Sequence, residues 1–493
     1  MLSPIGVKTP LPGVVYPPTD RLSQYVEGGV LGPRSLAEAL IDAFERYSDN
    51  TALSGLDWEM TYGELDEASD RFASALLDMG LRPLDRVIFQ VVNSKELVIA
   101  ITACWKADLI PVCTLAAHRE NEIGYLAQHS GARAHFIGVE SNFDFVAFAE
   151  GIRDKTPTME HIVIVRGDAP SGYASMVEMM AAQDPVSAKA TVKAIKRDPF
   201  QVTVFQLSGG TTSVPKIIPR FSNEYLYNMT AMIDWEGYTE DDVFLVPLQI
   251  IHNAAMVCYL YPALLCGAEY VILPDMSPPS LIATFNKRRP SIFAVISSAL
   301  ATLKAAGGKE LLDLSRIRAV FSMNAARQTD EVLGVPGVHL FGMTEGLIIF
   351  GRPQDPTEAR HTAIGQAISK WDEVKIVEPG TDRELPHGET GEMISRGPYT
   401  FHGYYDAEER NKEVFNEEGF YRSGDLMSAR LIDGEVYYAF EGRLKDLVNR
   451  GGEKINCEEV EHAARKNSAI ADIAIVAMPD PDLEERACAF SIP

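Results

Sequence analysis

The feature that most constrains the fold is an alternation, sustained from Ser35 to about residue 350, between helix-period segments and short unbroken apolar runs. Leu36, Leu40, Ile41 and Phe44 recur on one helical face, and Ser35 with Glu38 ahead of them fits a capping box. Residues 86–91 read as a buried strand, and 94–106 read as a helix that Ser94 would cap. Residues 134–138 and 161–165 are further short strands. A second block, from about 200 to 350, has strands at 202–206, 270–273, 292–296 and 317–321. The alternation predicts an α/β protein with open, mainly parallel sheets and helices on both faces.

The character changes after about residue 370. Residues 374–377 and 391–396 read as half-buried strands bounded by Pro and Gly, as in a small β-barrel or meander. A last unit, from about 444, holds the pair Gly451-Gly452, a helix at 457–466 and a strand at 473–476. Residues 1–33 are rich in Pro and Gly and read as an irregular leader. At 493 residues the chain is too long for one ordinary core and suggests roughly three lobes.

Charge narrows the partners. The 45 basic and 69 acidic residues give a net charge of −24, a field that repels nucleic acid and anionic membranes. An anionic ligand must therefore be held by local donors. No apolar run reaches the ~18 residues that would span a bilayer, and Met1 to Pro18 lacks a secretory pattern. Six cysteines without a CxxC pair point to reduced thiols and a cytoplasmic setting. The sequon at Asn228 is then a chance match.

The sharpest local feature is the run from Gln206 to Lys216, Gln-Leu-Ser-Gly-Gly-Thr-Thr-Ser-Val-Pro-Lys, directly after a strand. Gly209 and Gly210 let the backbone turn tightly and present N–H groups. Thr211, Thr212 and Ser213 add hydroxyls, and Lys216 adds a positive charge. A flexible Gly/Ser/Thr turn is the alternative. The run is neither a Walker loop nor a dinucleotide fingerprint.

At this loop the sequence resembles the adenylate-forming (ANL) superfamily of acyl-CoA synthetases, peptide-synthetase adenylation domains and luciferases. Further motifs follow in the family's order: Phe341-Gly342-Met343-Thr344-Glu345, Tyr421 to Leu426 around Asp425, Gly442-Arg443-Leu444-Lys445-Asp446, and Gly451 to Ile455 around Lys454. The resemblance covers nearly the whole chain from about residue 35. It implies a large adenylation domain over 1–443, with α/β subdomains at about 35–200 and 201–365 and a β subdomain at about 366–443. A hinged C-terminal α+β lobe, here partial, would occupy 444–493. It also implies ATP and Mg²⁺. Ser208, Gly209, Gly210, Thr211, Thr212 and Lys216 would hold the β- and γ-phosphates. Thr344 would donate to the α-phosphate, and Glu345 would ligate Mg²⁺. Phe341, Gly342, Met343 and Asn324 would line the nucleotide site, Asp425 would clamp the ribose, and Arg443 would reach the ribose or α-phosphate. Lys445 stands at the hinge, and Lys454 would serve the thioester-forming state. For Glu345, Lys445 and Lys454 plain surface charge is the alternative, and for Asp425 a turn or cap.

The pair His252-Asn253 resembles the aryl-acid–AMP ligases that load salicylate or 2,3-dihydroxybenzoate. It implies that Asn253 bonds the carboxylate and an ortho substituent, since an amide both donates and accepts. His252 would pack beside the acid and the phosphates. Cys258 stands where dihydroxybenzoate enzymes carry Ser and suits a bare ring edge. Ala254 replaces the usual Tyr or Phe, and Met323 to Ala326, with Ala325 at the pocket wall, replaces a Gly-Gly-Ala stretch. These departures imply a reshaped pocket for a salicylate-like acid or a bicyclic 2-carboxylate resembling 3-hydroxyquinaldate. The acyl acceptor implied is the phosphopantetheine thiol of an aryl carrier protein. CoA as acceptor, or a degenerate nucleotide-binding protein, are the alternatives. The family's adenylation lysine falls beyond Pro493, and the expectation is a truncated lobe.

Overall fold

The computed structural model describes residues 5–139, 143–208, 215–275, 277–295, 300, 303–304, 307–322, 325–444, 447–450, 453–465, 467, 470–480 and 484–492. The chain divides into two compact units. One comprises residues 1–337, 342–346 and 398–408, and the other residues 338–341, 347–397 and 409–493.

In the first unit, the apolar runs of the N-terminal part form one sheet. Its spatial order is Ala174–Ser175, His161–Arg166, Ala134–Gly138, Arg86–Gln90, Ile110–Val112, Val202–Leu207 and Ile217–Phe221. All neighbours are parallel except the last pair, which is antiparallel. The helix starts of this unit are chemically fixed. Ser35 Oγ accepts from the Glu38 N–H, and Glu38 Oε2 accepts from the Ser35 N–H at 2.8 Å. Ser94 Oγ accepts from the Leu97 N–H and starts the helix Lys95–Lys106. Ile88, Val112, Ile123, Leu126 and Phe205 are sealed between sheet and helices.

A second sheet in this unit runs Ala319–Ser322, Ile292–Val295, Val243–Leu245, Glu269–Val271, Thr51–Ser54 and Glu59–Thr61, parallel until its last pair. Leu245, Val271, Phe285, Phe293 and Val320 form its core. The strand expected at 317–321 begins two residues later, because Ile317 closes the turn Leu314–Arg316 by donating to the Leu314 carbonyl.

The leader is not wholly irregular. Thr19–Glu27 is a helix that buries Leu22 and Tyr25. Two anchors flanked by Pro and Gly give too short a period to be read from sequence.

In the second unit, Glu373–Val377, Thr390–Arg396, Tyr421–Ile432 and Glu435–Arg443 form a four-stranded antiparallel sheet in chain order, a meander. Its last hairpin turns on Asp433 and Gly434, both at positive φ, the Asp-Gly turn that matches strand twist. A further sheet joins Glu453–Asn456, Leu447–Arg450, Glu484–Ile492 and Asp472–Asp480. It packs Val448, Ile473 and Ile475 against Cys457 of the helix Cys457–Ala464. Among the described residues no helix is long and apolar enough to cross a membrane.

Candidate active site

The glycine-rich run connects two antiparallel strands, Val202–Leu207 and Ile217–Phe221. Its ends are tied to each other. The Ser208 N–H donates to the Lys216 carbonyl at 3.0 Å, and the Lys216 N–H donates to Ser208 Oγ at 3.1 Å. Residues 209–214, including Gly209, Gly210, Thr211 and Thr212, lie outside the described residues. Lys216 Nζ stands 4.9 Å from the centre of the Tyr404 ring. The Tyr404 hydroxyl donates to Glu345 Oε1 at 2.8 Å, so one aromatic side chain links the lysine to the carboxylate.

Thr344 and Glu345 occupy the middle of a tight turn closed by the Gly346 N–H donating to the Met343 carbonyl at 3.0 Å. Gly346 has φ +146°, and a Cβ there would lie 2.5 Å from the Thr400 Cα and the Tyr399 carbonyl oxygen. No other residue fits. Met343 is buried, Gly342 is exposed, and Thr344 and Glu345 are half-buried.

The turn is held from below by Arg220, whose guanidinium is fully buried. It donates to the Thr344 carbonyl at 3.0 Å and to the Tyr399 carbonyl at 3.1 Å, and it pairs with the buried carboxylate of Glu224. Desolvation raises the Glu224 pKa against the lowering influence of Arg220.

His252 and Asn253 begin a helix. Asn93 fixes the approach, donating through Nδ2 to the Leu248 carbonyl at 2.6 Å and accepting the Ile250 N–H at 2.8 Å. His252 Nδ1 accepts from the Ala254 N–H, which puts the proton of the neutral ring on Nε2. The ring reaches water yet is closely surrounded by protein, and this desolvation lowers its pKa. Asn253 is buried, and its Oδ1 accepts from the Tyr225 hydroxyl at 2.9 Å. Ala254 is half-buried.

The helix then widens to a π-turn over Met256–Leu260, with the Tyr261 N–H reaching back to the Met256 carbonyl. Pro262 explains the widening: it has no N–H for the Cys258 carbonyl four residues back, and its ring crowds that turn. Cys258 lies within the π-turn, fully buried, and burial pushes its thiol far above the ordinary range. Ala325 is buried in the second sheet's core and opens the helix Ala326–Leu333, its carbonyl accepting from the Thr329 N–H. Asn324 lies outside the described residues.

In the second unit, Asp425 sits in the long strand Tyr421–Ile432 rather than at a cap. Its backbone N–H donates to Ser423 Oγ, and Gly424 before it has φ +70°. The buried Asp425 carboxylate meets Arg443 Nε at 3.3 Å across the strand pair, and Arg443 is otherwise exposed. The Phe341 ring lies 6.0 Å from that of Phe440. Lys454 is on the strand Glu453–Asn456, opposite Asn449. Lys445 lies outside the described residues.

The structure places Asn93, Arg220, Tyr225 and Tyr404 in support of the expected residues. Only Arg220 with Glu224 carried a readable signal, an i,i+4 charge pair at a helix start. Among the described residues no cluster of three metal-ligating side chains occurs. A half-buried Glu345 with one oxygen held by Tyr404 suits a Mg²⁺ ion, which takes one or two carboxylates and completes its shell with phosphates and water.

A parallel α/β scaffold, a hydroxyl-rich hairpin loop and a Thr-Glu turn define an adenylate-forming enzyme. The chain belongs to the AMP-binding enzyme family, whose model it matches over residues 40–405. It is 35% identical to triostin synthetase I of Streptomyces triostinicus over 98% of this chain and 89% of that protein. It is also 35% identical to the salicyl-AMP ligase / salicyl-S-ArCP synthetase of Mycobacterium tuberculosis, over 97% of this chain and 85% of that one. Among solved structures, apo MbtA of Mycobacterium smegmatis superposes with a TM-score of 0.81 and 30% identity, covering 97% of this chain and 89% of its own.

Proposed function

We propose that the protein is an aryl-acid–AMP ligase. The aryl carboxylate attacks the α-phosphorus of ATP, the bond to the β-phosphate breaks, and pyrophosphate leaves. The thiol of a phosphopantetheine arm on an aryl carrier protein then attacks the acyl carbon, and AMP departs. The acid is a salicylate-like or bicyclic 2-carboxylate, since the residue after Asn253 is the small, half-buried Ala254 rather than an aromatic side chain.

The observation that carries this reading is the buried Asn253 amide, anchored by Tyr225 beside His252 at a helix start. It offers directional bonding to a small planar acid, in a chain similar to a salicyl-AMP ligase.

Two anions must meet for the first step, and at ~4 Å they repel by about 4 kcal/mol at an effective dielectric of 20. Ser208, the loop after it and Lys216 would hold the outer phosphates against that repulsion. The Thr344 hydroxyl would donate to the α-phosphate. Asp425 would accept from the ribose hydroxyls, with Arg443 steadying it. Mg²⁺ at Glu345 would neutralise phosphate charge.

Acid-dependent exchange of labelled pyrophosphate into ATP across a panel of aryl acids tests the proposal. Exchange with salicylate or a bicyclic 2-carboxylate, followed by loading of an aryl carrier protein, is expected. Exchange with aliphatic acids alone would overturn it. Transfer to CoA but not to carrier proteins would overturn the second half-reaction.

A further inference from the structure

The N-terminal leader is tied to the segment that carries Tyr404, and the proposed activity gives it no part. Leu11-Pro12-Gly13-Val14 is a turn closed by the Val14 N–H donating to the Leu11 carbonyl at 3.3 Å. Pro12 fixes its first corner, and Gly13 supplies φ +81° at the second, as a type II turn demands. Tyr16 fastens the turn from behind. Its hydroxyl accepts from the Leu11 N–H at 2.9 Å and donates to Gln201 Oε1 at 2.6 Å. Gln201 Nε2 in turn donates to the Thr9 carbonyl at 2.8 Å. The leader turn therefore stands on the residue just ahead of the strand Val202–Leu207, which runs into the glycine-rich loop.

The corner of the turn meets Tyr405 and Asp406. The Asp406 N–H donates to the Gly13 carbonyl at 2.8 Å. A Cβ on Gly13 would lie 2.9 Å from the Tyr405 ring. That ring is already confined, with Phe205 at 4.8 Å and His129 at 5.4 Å between ring centres. Asp406 itself has φ +46°, a conformation that a residue with a side chain keeps only where its surroundings fix it, and the bond to Gly13 is one such restraint.

The same segment reaches the candidate site. The Tyr405 N–H donates to the Ile217 carbonyl at 3.0 Å, one residue past Lys216. The Phe401 N–H donates to the Glu345 carbonyl at 2.7 Å, and the Tyr404 hydroxyl holds the Glu345 carboxylate. Residues 401–406 thus bridge the leader on one side and the Thr344-Glu345 turn on the other. We infer that the leader turn is a positioning element for the candidate phosphate and metal site, in which Gly13, through Tyr405 and Asp406, sets Tyr404 against Glu345 and Lys216. Gly13 and Tyr16 are positioning residues; neither touches a reacting atom.

The inference rests on the reading of Glu345 as a Mg²⁺ ligand, so its test has one arm that needs no metal. Hydrogen–deuterium exchange is measured on the full chain and on two variants. Gly13→Ala pushes a Cβ toward Tyr405, and Tyr16→Phe unties the turn without adding an atom. In both, amides at 343–346 and 401–406 should exchange about 10-fold faster or more, while the strand His161–Arg166 keeps its protection. In the second arm, the Mg²⁺ concentration for half-maximal pyrophosphate exchange should move by about threefold or more, in the same direction as in Tyr404→Phe, with an unaltered KM for the acid. Gly13→Ala added to Tyr404→Phe should shift it no further, because both act on one contact. Unchanged protection at 343–346 in both variants would overturn the inference and leave the aryl-acid reading standing. So would a Mg²⁺ dependence that moves in Tyr404→Phe but in neither leader variant. A Mg²⁺ dependence unmoved in all three, with protection lost as expected, would overturn the metal role of Glu345 and leave the positioning in place.

Discussion

Arg220 and Thr344 are 124 residues apart in sequence and joined by one hydrogen bond, from a fully buried guanidinium to a backbone carbonyl at 3.0 Å. Because the same guanidinium also holds the Tyr399 carbonyl and Glu224, removing it does two separable things. Arg220→Ala leaves Glu224 buried without its cation, which costs about 3–5 kcal/mol and should lower the melting temperature by several degrees. Arg220→Lys keeps the charge but loses the planar fork. We expect it to fold, and to lose kcat in pyrophosphate exchange by more than KM for the acid rises. Equal kcat in the lysine variant would show that the Thr344 turn holds its shape without the guanidinium.

The second prediction concerns Tyr404, which touches both Lys216 and Glu345. Tyr404→Phe keeps the ring under Lys216 and deletes only the bond to the carboxylate. A hydrogen bond to a charged group is worth about 1.5–3 kcal/mol, but loss of that donor also leaves Glu345 a stronger ligand. The expected outcome is therefore specific: a changed Mg²⁺ concentration for half-maximal exchange with an unaltered KM for the acid. A shift in acid KM with no change in Mg²⁺ dependence would remove Tyr404 from the carboxylate's role.

Much of this was legible in the sequence because its causes are local. Ser35 with Glu38 and Ser94 with Leu97 set helix starts within four residues, and the buried runs at 86–91 and 202–206 needed no partner to be read as strands. What stayed hidden depends on contacts across the chain. Nothing near Asn93 shows that it holds the backbone at Leu248 and Ile250. Nothing near Gln206 shows that its amide meets Met256, 50 residues on. The π-turn at Met256–Leu260 had a local cause in Pro262, but a proline inside an apolar helix is more readily read as an end than as a widening.

Ala254 yields a prediction about pocket size. It follows Asn253 at the helix start, where it is half-buried, and an aromatic side chain there would take the room that a second fused ring needs. Ala254→Tyr should therefore reduce kcat/KM for a bicyclic 2-carboxylate by about 10-fold or more, while salicylate changes by less than about threefold, since overpacking a filled site costs about 1–3 kcal/mol. Parallel exchange assays with the two acids decide it. Equal losses on both would show that Ala254 does not bound the acid. By the same logic, Asn253→Leu should weaken ortho-substituted acids by about 10-fold, the consequence of losing one directed buried bond.

The last prediction separates stability from the site. His135 lies wholly inside the first sheet, its Nε2–H donating to Gln90 Oε1 at 3.0 Å, and burial lowers its pKa to about 3. In the unfolded chain the same group titrates near 6.5. Between those values the unfolded state binds the extra proton, so folding stability falls as pH falls. The His135 contribution is complete above about pH 6.5 and is lost at roughly 1.4 kcal/mol per pH unit down to about pH 3. Other groups act in the same range. His402, lowered to about 4, adds a slope of the same sign, and Asp108, raised to about 6, adds one of opposite sign. Those groups remain in His135→Asn, so the difference between the two proteins isolates the imidazole. Urea unfolding at pH 7 and pH 5 should show the wild type losing about 2 kcal/mol more than the variant over that interval, whatever the absolute stability of each. A variant whose acid sensitivity matched the wild type would mean that His135 takes up its proton without unfolding, and that Gln90 accommodates the charged ring.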